Sequence, residues 1–83
     1  MRSIEDVRKD ISSIDLKMRN LFIERLNYVK EMKEIKISNG YSFVNKKREE
    51  DMKSFYTEDL KEYKDEYLEL LEKILEISKK QYK

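Results

Sequence analysis

Apolar residues recur along the first half of the chain at Ile4, Val7, Ile11, Ile14, Met18, Leu21, Val29, Met32 and Ile35. The steps are three or four, with Arg25 standing in the one gap. That spacing predicts a single amphipathic helix. Ser3 precedes the stripe and Asp6 follows it by three, a capping-box-like start that puts acid near the helix N-terminus. No breaker intervenes before Ser38, and Asn39-Gly40 then ends the pattern. The first helix is therefore read over residues 4–37. At 1.5 Å per residue it is about 50 Å long, well beyond the roughly 30 Å width of a compact domain of this size.

The segment SNGYSFV, residues 38–44, reads as a short loop, and Asn45 as the N-cap of a second helix over 46–56. Val44, Met52 and Phe55 mark the apolar side of that helix. A connection around Thr57–Asp59 leads into a third helix over 59–82. Leu60, Tyr63, Tyr67, Leu70, Leu71, Ile74, Leu75 and Ile77 give it a wide apolar face. The stretch KDEYLELLEKILEISKK is charge-rich, but its spacing is that of a surface helix with i,i+4 pairs. The two shorter helices do not suffice to cover the stripe of the first. An antiparallel second copy of the long helix is the simplest cover.

Composition sharpens this picture. With 83 residues the chain is one domain, residues 1–83. One Gly, no Pro and 45% charged residues suit helices with solvated outer faces. A net charge of +1 gives no electrostatic case for nucleic acid or anionic membrane as a partner. Absent Cys excludes disulfides, zinc thiolate sites and thiol nucleophiles, and absent His removes the usual general base at neutral pH. No apolar run has the length of a membrane span and no signal peptide is visible. The expectation is a cytoplasmic protein.

Polar residues that interrupt apolar stripes carry the functional information. Arg25 is in line with Met18, Leu21, Val29 and Met32, and Arg48 with Val44, Met52 and Phe55. Lys36 comes four residues after Met32, Ser78 follows Leu71 and Ile74, and Arg8 flanks Val7 and Ile11. A single such Arg is ordinarily paired with an internal acid or stretched out to water. Two of them on separate helices, with a Lys and a Ser at compatible positions, point instead to a small anionic ligand such as a dicarboxylate. Glu49 beside Arg48 reads by itself as a surface ion pair. Glu49-Glu50-Asp51 does not make a metal site without His or an inward carboxylate cluster. No cofactor is expected.

These residues occur in an order that resembles the all-α chorismate mutases, the AroQ class. IEDVRKDISSIDLKMRNLFIERLNYV is similar to that family's N-terminal pattern of Arg, Ile, Ile-Asp, an apolar pair and Glu-Arg. Lys36 follows Arg25 by eleven residues, as the family's lysine follows its arginine. NKKREE resembles the Asp-x-x-Arg-Glu segment that opens the family's second helix, and ILEISKKQ resembles its last helix, where Ser precedes Gln by four. The resemblance spans essentially the whole chain.

It implies a protomer of three helices, long, short and medium, in an intertwined homodimer that converts chorismate to prephenate. Arg8 would reach across the dimer and, with Arg25, hold the two substrate carboxylates. Lys36 would bind a carboxylate and the ether oxygen. Glu49 would accept from the ring hydroxyl with help from the backbone N–H of Asn45, while Arg48 and Ser78 would orient the ring carboxylate. Asn45 departs from the family's usual Asp. The family's Gln falls on Tyr82, with Gln81 one residue early, about 100° around a helix. Tyr82 has a hydroxyl to offer the ether oxygen, and Gln81 reaches it only if the last turn shifts. Three other readings stay open at this point: an isochorismate pyruvate lyase, a mutase acting on an amino analogue of chorismate, and a non-catalytic helical interaction module.

Overall fold

The computed structural model describes residues 1–42 and 44–82. Among these the chain is all-helical, with α1 over Ile4–Asn39, α2 over Lys46–Thr57, a short 3-10 turn over Lys61–Tyr63, and α3 over Lys64–Lys80. The loop predicted over 38–44 includes Phe43, which lies outside the described residues.

The start of α1 is built as its sequence implies. The Asp6 amide donates to the Ser3 hydroxyl at 3.1 Å, and the Ser3 amide donates to the Asp6 carboxylate at 3.3 Å. Its end runs two residues past the predicted boundary. The Asn39 side-chain amide donates to the Ile35 carbonyl at 2.8 Å, which keeps the last turn closed. Gly40 then takes φ 69 in the left-handed region, and the Tyr41 amide reaches the Lys36 carbonyl at 2.9 Å. Only a residue without Cβ enters that conformation freely.

α2 begins where the Asn45 side chain accepts from the Arg48 amide at 3.0 Å. It extends one residue beyond expectation, to Thr57, whose hydroxyl donates to the Lys53 carbonyl at 2.6 Å while the residue is 3% exposed. The predicted third helix divides. Lys61 adopts φ 52, a conformation uncommon outside Gly, and the chain passes through a 3-10 turn before α3 starts at Lys64. The α-helix also stops at Lys80, with Gln81 and Tyr82 in a turn.

The core is narrow. On α3, Leu71, Leu75 and Ser78 are buried at helical spacing, and this face packs against α2. Tyr63 and Leu70, expected on the same face, are exposed, as is Phe55 of α2, which meets Tyr56 edge-on at 5.7 Å. α1 buries no residue within the chain. Ile4, Val7, Ile11, Ile14, Met18 and Leu21 all stand open on it. The protomer is accordingly elongated, 57 × 26 × 16 Å, its length set by α1. No helix among the described residues is long and apolar enough to cross a membrane.

Candidate active site

α1 contributes Arg25 and Lys36 to one side of a cavity. Eleven residues make about three helical turns, so the two side chains share a face roughly 16 Å apart along the axis. Val29 and Met32 lie between them and give that wall an apolar floor. The first turn of α2 adds Asn45, Arg48 and Glu49, with Met52 one turn on. The last turns of α3 add Leu75, Ser78, Lys79 and, just beyond, Tyr82. The space enclosed by the three helices is about 400 Å³.

Two internal links set the geometry. Arg25 Nη1 donates to Ser78 Oγ at 2.5 Å, and Ser78 Oγ donates in turn to the Ile74 carbonyl at 2.8 Å. Ser78 is 7% exposed, so this hydroxyl is a fixed acceptor and anchors the guanidinium. On the opposite side Lys79 Nζ stands 2.7 Å from Glu49 Oε1, with the Glu49 side chain only 17% exposed. At the far end of the cavity the Lys36 ammonium lies 5.4 Å from the centre of the Tyr82 ring, within the range of a cation–π contact.

Among the described residues, four cations, Arg25, Lys36, Arg48 and Lys79, line the cavity with one acid, Glu49. The rest of that wall is mostly apolar, from Val29, Met32, Val44, Met52, Leu75 and the tyrosine rings, with Asn45 and Ser78 as its neutral polar residues. Such a site suits a small, largely apolar body that carries at least two negative groups. Two larger grooves flank it, of about 610 and 670 Å³. The first is lined from Asn45 and α2 alone, and the second balances Lys53, Lys79 and Lys80 with Glu49, Glu72 and Glu76. Neither gathers excess cations from three helices. Among the described residues no group of acids is placed to hold a metal ion.

Seven of the sequence-predicted residues meet here: Arg25, Lys36, Asn45, Arg48, Glu49, Ser78 and Tyr82. Asn45 does so with its side-chain oxygen engaged in the α2 cap. Two do not. Gln81 lies off the cavity wall, and its amide donates to the Ile77 carbonyl at 3.3 Å. Arg8 is exposed on α1, seventeen residues before Arg25 and so about 25 Å away along the axis. Lys79 is the charged cavity residue that sequence reasoning passed over, and Tyr28 is a further wall residue it did not single out. Read along the chain Lys79 belongs to a run of solvated charges. Its position four residues after Leu75 and three before Tyr82, on one helix face, is the signal that was there to use.

A family model described as Chorismate mutase type II matches residues 7–83 of the chain. No curated protein and no solved structure matches it.

Proposed function

This chain belongs to the chorismate mutase type II family, and from that premise we propose that it rearranges chorismate to prephenate, a cytoplasmic step of aromatic amino-acid biosynthesis. The observation that carries the reading is the cavity in which Arg25, Lys36 and Arg48 converge from α1 and α2 beside Ser78 of α3. Chorismate is a dianion with one ether oxygen. Its rearrangement breaks the ether C–O bond as a new C–C bond forms within the same molecule. No proton, electron or leaving group is exchanged, so a chain without His or Cys is not handicapped.

The site has two tasks. It must hold a flexible dianion in the folded shape that brings the reacting carbons together. It must also stabilise the negative charge that grows on the ether oxygen, for which a positioned cation in a partly enclosed site is effective. Arg25 takes one carboxylate and Arg48 orients the ring carboxylate, while Ser78, whose one proton goes to the Ile74 carbonyl, acts through its hold on Arg25. Lys36 contacts a carboxylate and the ether oxygen. Tyr82, whose ring lies beside the Lys36 ammonium, supplies its hydroxyl as a second donor in this reading. Gln81, bonded along its own helix, is left outside this scheme. Glu49 accepts from the ring hydroxyl near the backbone of Asn45.

The working unit in this proposal is a homodimer. An α1 with no fully buried residue leaves its apolar stripe from Ile4 to Leu21 in water, and burial of apolar surface contributes about 25 cal/mol per Å². A second α1 laid antiparallel covers the stripe. The same arrangement accounts for Arg8, which is about 25 Å from the cavity of its own chain and would serve the cavity of the partner.

The test is a chorismate-disappearance assay on purified protein with product identification. Prephenate formation supports the proposal. Release of pyruvate and salicylate from isochorismate, with chorismate left intact, would replace it with a lyase, and silence on both substrates would leave a binding module. Ligand binding gives an independent reading: a bicyclic dicarboxylate transition-state analogue is expected to raise the unfolding midpoint.

A further inference from the structure

Glu49 and Lys79 form an ion pair between α2 and α3, with both residues on the wall of the cavity. The Glu49 side chain is 17% exposed and that of Lys79 46%. A carboxylate covered to that extent requires a partner, and Lys79 is the cation set against it. Lys79 engages Oε1. A carboxylate accepts through both oxygens, so Oε2 remains the atom to receive a donor from a ligand.

This pairing alters what Glu49 can recognise. An unpaired carboxylate attracts an ammonium more strongly than a hydroxyl. Paired with Lys79, Glu49 offers a hydrogen-bond acceptor with little net charge behind it. A neutral hydroxyl loses nothing by this. An ammonium at the same position, as an alkyl amine carries near neutral pH, gains little from Glu49 and is repelled by Lys79 next to it.

We propose that Lys79 is a specificity-determining residue: through its contact with Glu49 it selects ring substrates that carry a neutral hydroxyl, and rejects those that carry an ammonium, at the position Glu49 faces. The inference rests on the function proposed above, since it presumes a chorismate-type ring in this cavity.

The experiment compares kcat/KM for chorismate and for 4-amino-4-deoxychorismate in the wild-type protein, Lys79→Met and Lys79→Arg. Lys79→Met leaves the largely covered Glu49 carboxylate without its cation and costs some stability, so a helical circular-dichroism spectrum and an unfolding midpoint above the assay temperature verify folding, and Lys79→Arg keeps the pair. Wild-type protein is expected to favour the hydroxyl substrate by about tenfold or more. Lys79→Met is expected to shift the ratio toward the amine by about tenfold, and Lys79→Arg, which keeps the charge, to hold it within about threefold of wild type. A simple loss of packing would lower both substrates together and leave the ratio alone. An unchanged ratio in Lys79→Met, a wild-type preference for the amine, or a Lys79→Arg that behaves like Lys79→Met overturns the inference while chorismate turnover leaves the proposed function standing. If the wild-type protein converts neither substrate and its midpoint does not respond to the bicyclic analogue, the function fails and the role of Lys79 fails with it.

Discussion

Arg25 of α1 donates to the hydroxyl of Ser78 on α3, fifty-three residues later, and Ser78 passes the bond on to the Ile74 carbonyl. A guanidinium on a long stem is otherwise free to choose among many rotamers. Here a buried hydroxyl holds one of its nitrogens, and the rest of the planar fork stays available to a carboxylate. The bond also ties the long first helix to the end of the third.

Ser78→Ala removes that anchor without removing charge. Loss of a hydrogen bond to a charged group is worth roughly 1.5–3 kcal/mol, so kcat/KM for chorismate is expected to fall by about tenfold or more, chiefly through KM. Helical content should be unchanged. Wild-type KM in the variant would show that Arg25 finds its geometry without Ser78.

Lys36→Ala is expected to lower kcat by about a hundredfold or more with the helical assembly intact, the scale of loss seen when a preorganised donor is removed from developing negative charge. Tyr82→Phe keeps the ring beside the Lys36 ammonium and deletes only the hydroxyl. Its kcat is expected to fall about tenfold. Gln81→Ala, by contrast, should stay within about twofold of wild type, because the Gln81 amide is bonded to Ile77. Steady-state kinetics on the three variants separate these roles; a larger effect at Gln81 than at Tyr82 would reverse the assignment.

Arg8 allows a test of the dimer that needs no further structure. Arg8→Ala and Lys36→Ala proteins should each be nearly inactive. Unfolded together and refolded, half of the dimers combine one chain of each kind. In an antiparallel arrangement with exchanged Arg8, each mixed dimer regains one complete site of its two, so the mixture is expected to recover about a quarter of wild-type activity. No recovery, with mixed dimers demonstrated by mass spectrometry, would place Arg8 outside the partner's site.

Asn45 is expected to matter more for stability than for chemistry. Its side-chain oxygen caps α2 through the Arg48 amide at 3.0 Å. Asn45→Ala should cost about 1 kcal/mol, seen as a fall of about 4–8 °C in unfolding midpoint for a domain of this size. Asn45→Asp should preserve the cap and the midpoint. An unaltered midpoint in Asn45→Ala would mean that α2 is held by its packing alone.

Local rules were enough for much of the chain. The three-or-four spacing from Ile4 to Ile35, the Ser3–Asp6 start and the Gly40 stop are all interactions between residues close in sequence, so α1 was legible apart from its last turn. The same holds for the Asn45 cap. The start of α3 was not legible. The interruption rests on Lys61 at φ 52, and a lysine carries no chemical sign of left-handed backbone, as Gly or Asn would. The Asn39 bond to Ile35, which lengthens α1, competes with the tendency of Asn to end helices, and the sequence does not say which prevails.

Sequence by itself determined the helix-forming pattern and the set of cations misplaced on apolar stripes, because periodicity and charge are properties of neighbouring residues. Only the tertiary structure decided how those cations are used. That Arg25 is anchored by Ser78, that Lys36 lies beside the Tyr82 ring, and that Lys79 turns inward to Glu49 depend on how three helices approach one another. Such contacts join residues tens of positions apart, where spacing along the chain no longer constrains distance. A one-residue step around α3 separates Tyr82 on the cavity wall from Gln81 off it, and at a helix end that rotation is set by packing.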